Sequence, residues 1–137
     1  DEFSYGNFNT QGYAVGMGNP HLIFFVEDLS LIPHKELGPV FENNHLFPEK
    51  TNVHFCQIIN SEKIIVKVWE RGVGSTLACG TGACAIHVAA RKLYRCEAKT
   101  SIILPGGELL IEWKNAKDEV LMTGTANKIY EGFFTLN

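Results

Sequence analysis

Residues 69–85 read WERGVGSTLACGTGACA, and here a β-rich run passes through a Gly/Ser/Thr loop into a helix of small residues. Cys79 directly precedes that helix, which the pattern predicts over residues 80–94. A thiolate in this position is stabilised by unpaired backbone N–H groups and by the positive end of the helix dipole. The same N–H groups can bind a carboxylate. The stretch therefore predicts a reactive thiol, with an inert core cysteine as the alternative.

Outward from this stretch, the apolar pattern predicts six or seven strands and little other helix. The strands cover residues 12–17, 21–27, 52–60, 63–69, 100–104, 108–113 and 120–125. A short helix is expected over residues 32–43, shortened or broken by Pro39. Together these elements predict an α+β fold, in which a curved, mostly antiparallel sheet wraps around one long central α-helix.

The composition is that of a single globular domain. The chain has 137 residues, of which 45% are hydrophobic and 20% charged, and its net charge of −3 gives no reason to expect nucleic acid or an anionic membrane as a partner. The apolar runs are too short to span a bilayer, and no signal peptide is recognisable. The cysteines and histidines lack metal-site spacing, so no metal is predicted. Four scattered cysteines fit reduced thiols and a cytoplasmic protein.

Five polar residues near predicted strand ends are candidates for binding or catalysis. Arg71 can hold a carboxylate with two hydrogen bonds, and the adjacent Glu70 can accept an ammonium group or a thiol proton. Asn19 and His21 flank a proline, and Asn52 precedes a strand. Taken singly, Glu70 and Arg71 fit a solvated ion pair at a strand end better than a site, and Asn19 and His21 fit turn-forming residues better. Asn52 by itself is ambiguous. The remaining histidines (His34, His45, His54 and His87) are assigned to structure or surface, and Cys84 to the core.

Three motifs, taken in order, resemble one known family. Residues 18–21 (GNPH), 47–55 (FPEKTNVHF) and 68–83 (VWERGVGSTLACGTGA) are similar to segments of the C-terminal domain of diaminopimelate epimerases. The resemblance implies an enzyme without cofactors that converts LL- to meso-diaminopimelate in lysine and cell-wall precursor synthesis. In that family two cysteines face opposite sides of the substrate α-carbon, one as thiolate base and one as thiol acid.

The resemblance also implies roles for individual residues. Cys79 corresponds to the second cysteine, Glu70 to a group that binds substrate and influences this thiol, and His21 to a neighbour of the opposite cysteine. The substrate-binding set consists of Asn19, Asn52, Glu70 and Arg71, mainly for the distal amino-acid end, with backbone N–H groups of Gly80 and Thr81 for the reacting carboxylate.

The chain departs from the family in length. The family's enzymes are roughly twice as long, and their first domain carries a Cys-Gly-Asn-Gly motif that this sequence lacks. Residues 1–137 are therefore predicted to be the C-terminal domain, without its N-terminal partner domain and inactive alone. The first residue is Asp1 rather than Met, which fits a chain that was processed or excised.

Three alternatives remain beside this prediction. A phenazine-type isomerase of the same fold does not use this thiol pair, so Cys79 argues against it. A proline or hydroxyproline racemase has a substrate without a distal group, so Asn52 with Glu70 and Arg71 argues against it. A stand-alone binding module is the third, with homodimerisation through apolar surface left where a missing half would dock.

Overall fold

A computed structural model describes residues 1–77, 80–93, 95–113, 120–124 and 131–134. Its strands are β1 (Glu2–Tyr5), β2 (Phe8–Gly16), β3 (Pro20–Phe25), β4 (Asn52–Asn60), β5 (Lys63–Glu70), β6 (Gly74–Thr76), β7 (Lys99–Leu104), β8 (Gly107–Glu112), β9 (Val120–Gly124) and β10 (Glu131–Phe134). The helices are α1 (His34–Glu42) and α2 (Gly80–Lys92), and a short 3₁₀ turn covers Leu29–Leu31. No helix in these ranges is both long and apolar enough to cross a membrane.

The strands form one sheet, in which two parallel pairs interrupt the antiparallel pattern. Its order is β1-β2-β3-β4-β5-β7-β8-β9-β10, with β6 also paired to β5. The pairs β3–β4 and β5–β7 are parallel, and the connections within them contain α1 and α2, respectively. Parallel neighbours need such long crossovers, whereas β4–β5 and β7–β8 are joined by short turns.

The two helices pack on opposite faces of this sheet. Alternate residues along a strand point to opposite faces, so Leu22 and Phe24 pack with Phe41 of α1, whereas Ile23 packs with Ile86 of α2. The α+β prediction is confirmed. The prediction of one long central helix is not, because the described chain contains helices of nine and 13 residues, one on each face.

The boundaries differ from the predicted ones at a few points. Helix α2 ends at Lys92, two residues before the predicted end, and residue 94 lies outside the described residues. Strands β1, β6 and β10 were not predicted. Strand β6 is only the three residues Gly-Ser-Thr, which carry no apolar alternation, and β1 is a four-residue strand paired along β2.

Helix α1 continues through Pro39, which was expected to shorten or break it. The proline removes one backbone donor. Because the helix ends only three residues later, few of its backbone hydrogen bonds are affected. The carbonyl of Pro39 accepts a hydrogen bond from Asn43 Nδ2 at 2.7 Å, which stabilises the C-terminal end of α1.

The contact of α1 with the sheet requires a glycine at position 38. Gly38 packs directly under the Trp69 indole, where an added Cβ would overlap the ring.

Candidate active site

Strand register places three of the predicted site residues in one row. The parallel β3–β4 pairing sets His21 beside Asn52, and Val53 lies opposite Trp69 in β4–β5, so the same register puts Asn52 next to Glu70. Residues paired in this way share a face of the sheet. Ile23, two residues after His21, packs in the α2 cluster, so the row lies on the α2 face.

Asn52 connects the three motif segments. Its side chain is 3% exposed, its Oδ1 accepts a hydrogen bond from the Arg71 backbone N–H at 2.7 Å, and its Nδ2 donates to the Pro20 carbonyl at 3.0 Å. The amide oxygen is therefore engaged within the protein. Nδ2 carries a second N–H besides the one given to Pro20, so Asn52 can act toward a ligand as a donor.

His21 is buried in the same row and is neutral near pH 7. Burial, and then the Arg71 guanidinium, lower the pKa of His21 from 6.5 to about 4. Its Nδ1 lies 2.9 Å from Nε2 of His54, and its Nε2 lies 2.9 Å from Oδ1 of Asn19. Both ring nitrogens are therefore occupied, and Asn19 and Arg71 both lie near His21.

His54 is a member of this cluster that the sequence assigned to structure or surface. It is fully buried, and burial, followed by the neighbouring His21, holds its pKa well below 6.5. The spacing of two between Asn52 and His54 on one strand puts both side chains on one face. The sequence contained this spacing as a signal for His54. It points to the site only when β3, which carries His21, is known to pair with β4.

Glu42 accepts hydrogen bonds that hold the turn after β5, and this turn contains Arg71. Its buried carboxylate accepts hydrogen bonds from Trp69 Nε1 at 2.8 Å and from the Gly72 N–H at 2.9 Å. Gly72 has a φ of 76°, a left-handed conformation that favours glycine. The sequence did not single out Glu42, which lies at the end of a predicted helix without any motif of its own.

The predicted thiol, Cys79, lies outside the described residues together with Ala78. The next residues, Gly80 and Thr81, begin α2 as expected. The other cysteines (Cys56, Cys84 and Cys96) are buried and form no disulfide. Burial raises the pKa of the Cys56 and Cys96 thiols, which disfavours their thiolate forms.

The β7–β8 turn holds the segment that leads to Cys79. The Gly106 N–H donates to the Leu77 carbonyl at 2.7 Å, and a Cβ added at Gly106 would lie 2.9 Å from Leu77 Cβ and 3.0 Å from that carbonyl oxygen. A backbone atom cannot yield as a flexible side chain does. The turn therefore fixes the position of the Leu77 backbone, two residues before Cys79 in the sequence.

We expect Gly106→Ala to displace the Leu77 segment and to lower the free energy of unfolding by about 1–3 kcal/mol, the usual cost of overpacking. Urea unfolding followed by circular dichroism measures this change. Pro105→Ala alters an exposed residue of the same turn and serves as the control. Equal stability of the two variants would show that the Gly106 contact does not constrain the segment.

Comparisons with known proteins place these motifs in context. A family model described as diaminopimelate epimerase matches residues 13–129. The diaminopimelate epimerase of Bacteroides thetaiotaomicron is 51% identical over 125 residues, covering 91% of this chain and 47% of that protein. Those of Moorella thermoacetica and Prochlorococcus marinus are 47% and 51% identical over 93% and 88% of this chain, and 46% and 42% of their own lengths. The chain thus spans slightly less than half of these relatives.

Solved structures show the same mixed fold at low sequence identity. A phenazine biosynthesis protein of the PhzF family from Enterococcus faecalis has a TM-score of 0.60 at 15% identity, over 81% of this chain and 42% of that one. Its counterpart from Bacillus anthracis has a TM-score of 0.56 at 21% identity, over 82% and 38%. At such identities the likeness concerns the fold alone.

Proposed function

The chain belongs to the diaminopimelate epimerase family, and on this premise we propose that it is the C-terminal half of an enzyme that converts LL- to meso-diaminopimelate. The observation that carries the proposal is the Asn52 side chain, which joins the segments of all three family motifs through its hydrogen bonds to Pro20 and Arg71. Such a reaction belongs to lysine and peptidoglycan precursor synthesis in the cytoplasm.

In this proposal an N-terminal domain supplies the other half of the site. The matched relatives are about twice as long as this chain, which supports a missing partner domain of similar size. We further propose that α2 is the central helix of the complete domain. Residues 82–90 of this helix are all buried, as a helix enclosed by a sheet requires.

The proposed reaction moves one proton onto and one proton off the substrate. A cysteine thiolate on one face takes the α-proton, which forms an S–H bond and leaves the electron pair on the α-carbon. A thiol on the opposite face breaks its own S–H bond and returns a proton to that carbon, so the configuration inverts. Cys79 is the proposed group on one face, and the absent domain supplies the group on the other.

The start of α2 is proposed to stabilise the charge that develops in this step. Backbone N–H groups of Gly80 and Thr81 bind the reacting carboxylate, onto which the carbanion electrons spread. Glu70 interacts with the substrate and with Cys79. His21 lies beside the opposite cysteine as a neutral imidazole, because its low pKa leaves it uncharged at neutral pH.

The distal end of the substrate is proposed to bind at the Asn19, Asn52 and Arg71 corner. Arg71 offers a guanidinium to a carboxylate, and Asn52 offers the second N–H of its Nδ2. These contacts favour a substrate with two amino-acid ends, since the distal end orients the reacting one.

A chimaera tests the proposed function. The half of the Bacteroides thetaiotaomicron enzyme that aligns with this chain is replaced by residues 1–137, and α-proton exchange of LL-diaminopimelate is followed in deuterated water. We expect inversion with deuterium incorporation by the chimaera and none by the isolated chain. Cys79→Ser in the chimaera should lower the rate by at least about 10³-fold, as expected for loss of a general acid or base.

The matched control is Cys84→Ala, which changes a buried cysteine five residues further along the chain. This variant should keep most of the activity. Full activity of the Cys79→Ser chimaera would overturn the proposed role of the thiol, and rapid inversion by the isolated chain would overturn the half-site proposal.

A further inference from the structure

Two histidines on neighbouring strands form a buried pair behind the proposed site. His21 on β3 and His54 on β4 are both 0% exposed, and their rings lie 5.1 Å apart between centroids at an angle of 30°. A hydrogen bond of 2.9 Å joins His21 Nδ1 to His54 Nε2. The contact is thus a direct bond between two imidazoles, shielded from water.

The protons of this pair can be assigned from its neighbours. Both histidines are neutral near pH 7, so each ring carries one N–H. Asn19 Oδ1 only accepts, so the His21 nitrogen bonded to it, Nε2, carries the proton. His21 Nδ1 is then bare and accepts from Nε2–H of His54. The remaining nitrogen, His54 Nδ1, is also bare, and it has no hydrogen-bond partner in the described chain.

We propose that His54 is a positioning residue that holds His21 in its Nε2–H tautomer and, through it, fixes the side-chain amide of Asn19. Because Asn19 Oδ1 is turned toward His21, the NH₂ group of the same amide points away from it. Asn19 therefore offers donors to a ligand, as Asn52 does, and the two together recognise an acceptor such as a carboxylate. This inference rests on the proposed function only for the identity of that carboxylate.

Long-range ¹H–¹⁵N correlation spectra of the ¹⁵N-histidine-labelled chain at neutral pH test the tautomers directly. We expect His21 and His54 each to show one protonated Nε2 and one bare Nδ1. A protonated Nδ1 on His21 in the unaltered chain would overturn the inference without any substitution.

His54→Phe and His54→Gln then test the dependence of His21 on its neighbour. Phenylalanine fills the space but donates nothing, so the Asn19 amide is no longer fixed and can turn its NH₂ group toward His21 Nε2. His21 should then exchange between its two tautomers and show averaged nitrogen shifts. Glutamine can donate through its amide and should restore the Nε2–H form. His87 is the internal control, since it is equally buried and its Nε2 is held by the Ala98 carbonyl at 2.8 Å. Unchanged His87 signals show that the fold is intact.

A kinetic measurement links the pair to ligand binding. In the chimaera, His54→Phe should raise KM for diaminopimelate roughly tenfold with a smaller change in kcat, as expected when one distal hydrogen bond is weakened. His54→Gln should recover most of the loss. An inactive chimaera would count against the proposed function, whereas a single Nε2–H tautomer of His21 that persists in His54→Phe would overturn the role of His54.

Discussion

Acidification from about pH 7 to pH 5 is expected to remove several kcal/mol of the free energy of unfolding. The pKa values of His21 and His87 are lowered to about 4 by burial, and that of His54 lies well below 6.5 for the same reason. In the unfolded chain all three histidines have a pKa near 6.5. At pH values between this pKa and the lower pKa of the folded state, the unfolded chain therefore binds more protons than the folded one. The contribution of these histidines to the free energy of unfolding is therefore fully present above about pH 6.5. It falls as the pH decreases below that value, by about 1.4 kcal/mol per pH unit for each histidine.

Urea unfolding at several pH values measures this loss, and its slope should correspond to an uptake of two to three protons. His87→Gln should reduce the slope by about one proton. The control is His45→Gln, which alters an exposed histidine. A free energy of unfolding that stays constant over this pH range would mean that the three histidines are not buried as neutral groups.

Replacement of Glu42 by alanine is expected to lower the free energy of unfolding by about 1–3 kcal/mol, because two part-buried donors lose a carboxylate acceptor. These donors are Trp69 Nε1–H and the Gly72 N–H. The turn that presents Arg71 should loosen as well, since Gly72 follows it directly. Tryptophan fluorescence during urea unfolding is a suitable measurement, as Trp69 contacts the altered site.

Glu36→Ala is the matched control, since Glu36 is an exposed carboxylate on the same helix, α1. Glu42→Gln should be intermediate, because the glutamine oxygen satisfies one donor while its NH₂ group faces the other. Equal stability of Glu42→Ala and Glu36→Ala would show that the hydrogen bonds to Trp69 and Gly72 contribute nothing.

Local patterns predicted the elements of this fold well where each signal lies within one segment. The β4–β5 hairpin and the start of α2 at Gly80 follow from alternation and from small residues at helical spacing. The prediction of one long central helix is not confirmed, and it depends on more than a local pattern. Packing of α1 and α2 on opposite faces depends on two crossovers, and the pattern of a single helix does not specify the face that it will cover.

The site was predictable as a set of motifs but not as a geometry. Asn19, His21, Asn52 and Arg71 were named from their segments, and the structure brings them together. The supporting residues Glu42 and His54 were missed, because a buried polar side chain looks like any other polar residue until its partners are known. The role of Cys79 remains a prediction.

The parallel pairing of β3 with β4 also determines the order in which the chain can fold. Hairpins such as β4–β5 close between neighbouring segments, whereas Asn52 meets Pro20 across a separation of 32 residues. Closing so long a loop loses chain entropy before any contact compensates for it, so nonlocal pairs form slowly. The pairing of His21 with Asn52 should therefore form late, and partly folded chains should contain native hairpins while still lacking the candidate site.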